Sequence, residues 1–452
     1  MSMHQLAELA TYVSALRIED LPVEVVDAAK VCAIDSIGAA VGGVTYEEVP
    51  SVLETFLTLS GRADANASVW GSGKVTSLFQ AAFLNGLMGH ALELDDVHTK
   101  SKTHIGAVVL PAVWSVAEVT GASGARVLEA VVAGYETMAR IGKGFGVADH
   151  RLRGWHVSGT AGTFGAAAAA AKLLGLDVER TLYAFGMAGT QSSGLWAFLA
   201  DGSTSKKMHT GRAAENGVVA AFLAKAGMTG PEHILDAEDG GLFPATSGSY
   251  SLDEVSRNLG ELFEILKVDR KPYSCCRSMH PALDAILQVR AECPEMADRI
   301  ERIRIKSYEV GVKQCGTILY PKNVSEAKFC MRFGVAVAYL DGSAGQKQFS
   351  MDRIRDPKVR ALSERVDYAE SPEFTSRYPE KWGCSLEVNL DDGTRFEKVV
   401  LDASGSVANP MTPSQIDAKF RGLVGPVLGD IRAEALLQDL RKLEALKSVP
   451  TI

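Results

Sequence analysis

The 452-residue chain has no Cys-x-x-Cys pair, no long apolar run and no excess of basic charge. Each absence removes a class of protein. Seven cysteines is an odd number, and only Cys275 and Cys276 lie close together, so neither a disulfide framework nor a structural zinc site is expected. No apolar stretch reaches the roughly 18–20 residues needed to span a bilayer. The densest, Gly159 to Leu174, is mostly Ala and Gly. Residues Met1-Ser2-Met3-His4-Gln5 lead straight into a helical pattern, without the basic-then-apolar layout of a secretory signal, so a cytoplasmic protein is expected. A net charge of −8 speaks against nucleic acid or an anionic membrane as partner. Neither H-E-x-x-H nor facial-triad spacing occurs, and no metal is expected.

What is present is ordinary globular composition, 46% hydrophobic and 23% charged, in a chain longer than one core usually serves. Two domains are therefore expected. Two basic islands stand out on the acidic background. Ser203–Arg212 carries Lys206, Lys207 and Arg212 with no acid, and Lys267–Arg277 carries four basic residues against Asp269 alone. Both point to an anionic ligand.

Residues 1–265 read as almost wholly helical. Val25, Ala29, Cys32, Ala33, Ile37 and Ala40 recur at helical spacing, and Thr76 or Ser77 caps an apolar helix running towards His90. Pro111 suits a first turn, and further helices are expected over 124–142, 157–174, 178–199 and 209–226. Their Ala and Gly content allows close approach, burial on several sides and an oligomer. From 267 to 405 the period changes. Arg302–Val310 alternates like a strand, and 385–390 and 395–401 flank Asp391-Asp392-Gly393-Thr394, a hairpin signal. Helices are expected over 281–289 and 326–340. After Asn409-Pro410, Thr412-Pro413-Ser414-Gln415 supplies a cap, a first-turn Pro and a Gln three residues on. The expectation is a mainly α protein: one all-helical domain from 1–265 and 410–452, with 267–405 inserted as an α+β domain.

Seven of the nine histidines fall in or beside four short polar segments. The first, following an apolar helix, holds Glu93, Asp95, Asp96, His98, Lys100, Lys102 and His104, enough acids, bases and cations for proton transfer, although a solvated capping loop has the same composition. In the second, His156 precedes the N-terminus of an Ala-rich helix, where anions are favoured, and the competing reading is a His packed beside Trp155. The third places Lys206 and His209 three apart on one helical face, with neighbouring cations able to lower the pKa of Lys206. The fourth, at the domain junction, holds Cys275, Cys276, Arg277 and His280. Arg277 could hold a carboxylate through two parallel hydrogen bonds, and junctions are where ligand clefts concentrate. A Cys276 thiolate mechanism competes there with a structural role.

These segments carry a resemblance. Asn85-Gly-Leu-Met-Gly-His-Ala-Leu-Glu-Leu-Asp-Asp-Val-His98, Gly134-Tyr-Glu136, the run from Gly162 to Asp177, Lys206-Lys-Met-His-Thr-Gly-Arg-Ala-Ala214, Lys271-Pro-Tyr-Ser-Cys-Cys-Arg277, Glu326-Ala-Lys-Phe329 and Ala418-Lys-Phe-Arg-Gly-Leu423 together resemble the MmgE/PrpD superfamily. That superfamily includes 2-methylcitrate dehydratase, cis-aconitate decarboxylase and iminodisuccinate epimerase. The resemblance runs nearly end to end. It implies a helical domain built from both chain ends, a smaller α+β lid, a homodimer and no cofactor or metal. It places the active site around Glu93–Val97, His104, His156 and Lys206, with a lid position near Cys276. Three departures stand out: Glu93 replaces the family's first Asp, Val97 replaces its Thr, and no Pro follows His104. Cys276 stands where the decarboxylases use a His.

The implied chemistry is proton transfer at a carbon next to a carboxylate, which needs a placed base and fixed positive charge. Lys206, His104, His156 and Asp96 are the expected catalytic residues. Glu93, Asp95, His98, Lys102, His209, Cys276, Arg277 and His280 are the expected substrate-binding residues. The departures point to epimerisation of a dicarboxylate such as iminodisuccinate. Dehydration of a citrate-like acid and cis-aconitate-type decarboxylation are the alternatives, and an inactive polyanion-binding homologue is the non-enzymatic one.

Overall fold

The structure, a computed structural model, describes residues 4–59, 66–294 and 296–452. It divides into two compact units: Met1–Trp196, Ser205–Val268 and Thr412–Ile452 form one, and Ala197–Thr204 with Asp269–Met411 form the other. The sequence reading placed 197–204 with the helices.

The first unit is built on α1 (Val23–Gly43), α2 (Leu78–Ala91), α3 (Gly106–Thr120), α4 (Gly124–Gly144), α5 (Gly162–Leu174), α6 (Lys206–Lys225) and, from the chain's far end, α7 (Pro413–Leu428). Ser77 caps α2 by accepting from the Gln80 N–H. Thr412 and Gln415 form the reciprocal capping box of α7. Every residue of α5 from Gly162 to Leu173 is buried. Six consecutive alanines make this possible, because they favour helix and keep it thin enough to be surrounded. The ends of the chain meet at the acidic loop, where Lys419 on α7 donates to Asp35 Oδ1 (2.7 Å) and to the carbonyl oxygen of Leu94 (2.6 Å).

Four helical expectations need correction. The first unit is not all-helical, since Asn66–Val69 and Lys74–Ser77 pair as an antiparallel hairpin ahead of α2. Pro111 lies inside α3 rather than in its first turn, because the helix already starts at Gly106. The helix expected over 178–199 stops at Thr190, since Gln191-Ser192-Ser193-Gly194 is polar and Gly194 takes φ 119°. The helix expected over 326–340 is two pieces, Val324–Ala327 and Met331–Asp341.

The second unit carries a four-stranded mixed sheet of β1 (Ile300–Ser307), β2 (Val366–Glu370), β3 (Cys384–Leu390) and β4 (Arg395–Val400), in the order β2-β1-β3-β4. β1 pairs parallel with β2 and antiparallel with β3, while β3 and β4 form the expected hairpin in register Cys384↔Val400 to Asn389↔Arg395. β1 ends three residues earlier than the alternation suggested, and Glu309–Cys315 is helical. No helix among the described residues is long and apolar enough to cross a membrane.

The helix that begins with Lys206 reaches its position only because α2 and α6 touch backbone to backbone. A Cβ on Gly86 would lie 2.9 Å from the Gly211 Cα, and one on Gly211 would lie 2.5 Å from the Phe83 carbonyl oxygen. Gly211→Ala should therefore cost about 1–3 kcal/mol by overpacking, seen as a lower midpoint in thermal unfolding. Gly422→Ala on α7, where a Cβ would meet nothing within 4 Å, should leave the midpoint unchanged or raise it.

Candidate active site

Within the helical unit, three separate stretches bring their histidines together. His90 stands in the last turn of α2, fully buried. The chain then turns through Glu93, which takes φ +55°, a left-handed conformation that a non-glycine residue adopts only when its surroundings hold it there. This turn aims the next carboxylates inward. Asp95 is fully buried, and its Oδ2 lies 2.7 Å from His90 Nδ1 and 2.9 Å from His104 Nδ1. One carboxylate oxygen thus serves two imidazoles, whose ring centroids are 4.3 Å apart.

His104 is delivered by a tight loop. The backbones of His98 and Thr103 pair (2.9 and 3.4 Å), Lys102 turns at φ +58°, and the His104 N–H donates to Ser158 Oγ at 3.0 Å. Ser158 lies in the short helix Val157–Thr160, whose N-cap is His156. His156 is seated by the strand-like pairing of 154–156 with 194–196, its N–H donating to the Gly194 carbonyl oxygen and that of Trp196 to Gly154. Its ring centroid lies 6.2 Å from that of His90 and 6.3 Å from that of His104.

On α6, the Lys206 ammonium donates to Glu93 Oε1, which also lies 3.5 Å from His90 Nε2. His209, one turn on, meets His156 Nδ1-to-Nδ1 at 3.0 Å. Such a contact needs one nitrogen protonated and the other not, so at least the accepting ring is neutral when it forms. Burial, reinforced by His209 and Lys206, holds His156 well below its ordinary pKa. Burial does the same for His209, lowering it to about 4. Trp196 packs edge-on against His156 at 5.4 Å, with the Lys206 nitrogen 5.9 Å from the indole centre and the Arg151 guanidinium stacked on it at 4.0 Å.

The expected site residues thus separate. Glu93, Asp95, His104, His156, Lys206 and His209 come together, and Lys102 lies buried in the turn of the adjoining loop. Asp96 does not orient a histidine. It accepts from the Gly106 N–H (2.8 Å) and the Tyr135 hydroxyl (2.6 Å), anchoring the start of α3, and burial raises its carboxyl to about 7. His98 is committed elsewhere as well, its ring nitrogens facing Ser101 Oγ (2.8 Å) and Glu264 Oε2 (3.0 Å). The cationic crowding read around Lys206 is dispersed in space, since Lys207 turns to Glu48 and the Tyr46 ring and Arg212 to Glu215.

Cys276, Arg277 and His280 belong to the second unit. Arg277 cannot offer a bidentate edge to a ligand. Its guanidinium donates to Asp269 twice, to His280 Nδ1 and to the carbonyl oxygens of Ser404 and Ala403, which uses all five N–H groups. His280 is held in turn between Arg277 and the Cys275 carbonyl (3.4 Å), and the Cys276 N–H donates to the Lys328 carbonyl oxygen. All seven cysteines are buried and none is in a disulfide.

Sequence reasoning missed His90, Trp196 and Arg151. His90 had a signal: a His in the last turn of an otherwise apolar helix, three residues before Glu93 and five before Asp95. Arg151 lay in the polar segment of His156 but was given no role, and Trp196 had no signal, because its nearness to His156 depends on the end of the preceding helix at Thr190.

Two comparisons bear on what this arrangement does. The MmgE/PrpD N-terminal domain family matches residues 7–254 and the MmgE/PrpD C-terminal domain family residues 273–443. The chain is 28% identical to a cis-aconitate decarboxylase of Aspergillus terreus over 95% of its own length and 91% of that protein. It is 28% identical to the cis-aconitate decarboxylase of Homo sapiens over 97% and 91%. It is 26% identical to the 2-methylcitrate dehydratase of Escherichia coli K12 over 52% and 50%.

The electrostatics of the His156–His209 pair give a measurable pH signature. Nitrogen chemical shifts should show both rings neutral from pH 8 down to about 5.5, with no transition near 6.5. The folded value of His209, about 4, lies below the roughly 6.5 of an unfolded chain. Its contribution to stability is therefore present above about pH 6.5 and is lost as pH falls towards 4. A titration of either ring near pH 6.5 would contradict this assignment.

Proposed function

Since the chain belongs to the MmgE/PrpD family, whose two domain families match nearly all of it, we propose that it is a lyase for a small unsaturated or hydroxylated polycarboxylic acid, with decarboxylation of a cis-aconitate-like acid as the leading reaction. The observation that carries this reading is the Asp95 oxygen shared between His90 and His104, beside the Lys206–Glu93 pair. The Asp95 carboxylate beside Nδ1 orients the His104 ring, and His104 is the proton donor in this reading. His156, held neutral by burial, is the complementary acceptor. Lys206, with Arg151 beyond the Trp196 indole, supplies positive charge for the substrate's carboxylates.

In decarboxylation the bond from carbon to one carboxylate breaks and CO₂ leaves. The electron pair moves into the system conjugated with a remaining carboxylate, and one proton from an imidazolium quenches it, to be replaced later from solvent. A single acid with nearby cations suffices. Similarity along almost the whole chain to cis-aconitate decarboxylases supports this over the epimerisation that the loop departures pointed to. Dehydration of a citrate-like hydroxy acid is the second reading, favoured by the likeness to 2-methylcitrate dehydratase.

Incubation with cis-aconitate in D₂O should release CO₂ and give new terminal-alkene proton signals, with one deuterium built into the product. Loss of the methine proton of 2-methylcitrate, with its methyl doublet collapsing to a singlet and no CO₂ released, would select the second reading. Exchange of iminodisuccinate α-protons without net loss would overturn both, and inertness towards all three acids would leave a binding protein.

Lys206→Ala and Asp95→Asn should each lower turnover about 10²–10⁴-fold. Lys207→Ala should retain most of it, because Lys207 points to Glu48 and Tyr46. Comparable mild losses in the two lysine variants would remove Lys206 from the chemistry.

A further inference from the structure

The grouping of His90, His104 and His156 does more than place an acid and a base. One ring nitrogen from each lies within 4.8 Å of the other two, and an overlapping trio, His90, Glu93 and Asp95, meets the same limit. We propose that these three histidines form a binding site for a divalent transition-metal ion of the Zn²⁺ class, and that the ion acts there as a reversible inhibitor. Occupancy by metal rests on the geometry of the histidines alone. The inhibitory consequence rests on the proposed roles of His104 and His156 in proton transfer.

Three features make the cluster a metal site rather than a chance grouping. The first is fit. A tetrahedral ion with Zn–N distances of about 2.0–2.1 Å needs nitrogens about 3.4 Å apart, so closing from 4.8 Å asks each ring to move by less than about 1 Å. The second is support behind the ligands. Metal-bound histidines usually give their other nitrogen to a carboxylate or another fixed acceptor, which orients the ring. Here Asp95 stands behind Nδ1 of both His90 (2.7 Å) and His104 (2.9 Å), and His209 stands behind Nδ1 of His156 (3.0 Å). The third is charge. Lys206 already neutralises Glu93, which leaves the Asp95 carboxylate to offset part of the ion's charge.

The ligand set selects the metal class. Imidazoles suit Zn²⁺, Co²⁺, Ni²⁺ or Cu²⁺, whereas Mg²⁺ and Ca²⁺ require shells of oxygen ligands. An ion held by His104 and His156 takes the nitrogens that would give and receive the substrate's proton, so turnover stops until the ion is withdrawn.

Chelator-treated protein should be titrated with Co²⁺ and followed by visible absorption. The expected result is one equivalent bound, with the intense bands of a tetrahedral centre, displaced stoichiometrically by Zn²⁺ and unaffected by Mg²⁺. His90→Gln should abolish the bands. His209→Gln, which alters only the support behind a ligand, should weaken binding about 10–100-fold. His98→Gln lies outside the trio and should change neither. Circular dichroism of each variant separates loss of metal from loss of fold, and binding by wild type decides the matter if a variant unfolds. Absence of tetrahedral bands in wild type, or bands that survive His90→Gln in a folded variant, overturns the proposal. With cis-aconitate as substrate, Zn²⁺ should suppress turnover and EDTA restore it, and full activity at saturating Zn²⁺ overturns the inhibitory role. Failure of cis-aconitate to react at all counts against the proposed function and leaves the Co²⁺ titration to judge the site.

Discussion

A single carboxylate oxygen, Asp95 Oδ2, is the point on which the site depends. It is fully buried, yet is hydrogen-bonded to His90 on a helix end and lies 2.9 Å from the Nδ1 of His104 on a loop. A buried carboxylate is costly unless its charge is shared or hydrogen-bonded. Two imidazoles at 2.7 and 2.9 Å provide that, and in return each ring is fixed in orientation. The cost of burying the charge and the precision of the acid–base groups are therefore the same fact. Removing either histidine's support would leave Asp95 to draw on the other alone.

The rest of the helical unit serves to hold that oxygen in place. Asp96, the next residue, faces away and secures the start of α3 through the Gly106 N–H and the Tyr135 hydroxyl. Adjacent carboxylates on opposite sides of a turn carry opposite tasks: one is kept among histidines, the other is driven towards its neutral form and works as a peg. Lys419, from the C-terminal part of the chain, fixes the Leu94 carbonyl just before them in sequence. The close contact of α2 and α6 at Gly86 and Gly211 then sets the distance from His90 to Lys206. Small residues are what make the geometry short enough for a lysine to reach Glu93.

Much of this was legible in the sequence, and what was not has a physical reason. The helical ends and the α+β middle followed from hydrophobic period and capping residues, which act locally. The cluster Glu93, Asp95, His104, His156, Lys206 and His209 was legible as a set, because polar residues in apolar surroundings are conspicuous. Which acid does what was not. Asp95 and Asp96 are neighbours of identical chemistry, and only the turn at Glu93, with its positive φ, decides which one faces the histidines. Arg277 misled for a related reason. A basic residue in a basic island reads as a ligand-binder, but its partners Ser404 and Ala403 lie more than a hundred residues away in sequence. The three-histidine grouping was hidden for the same cause, since its members come from 90, 104 and 156 and share no spacing that a motif could record.

The balance of charge explains how a buried site can receive a polyanion. Lys206 is matched by Glu93, while His156 and His209 are held neutral by burial and by positive neighbours. The site thus presents little unbalanced positive charge, which would otherwise be expensive to bury. A carboxylate entering beside Lys206 acts against one of the causes that hold His156 low, because it offsets the positive field of the ammonium. The same carboxylate competes with Glu93 for the lysine. Substrate binding and proton uptake are linked by that competition. His156 therefore gains basicity when the anion binds, which suits it to accept a proton in the occupied site.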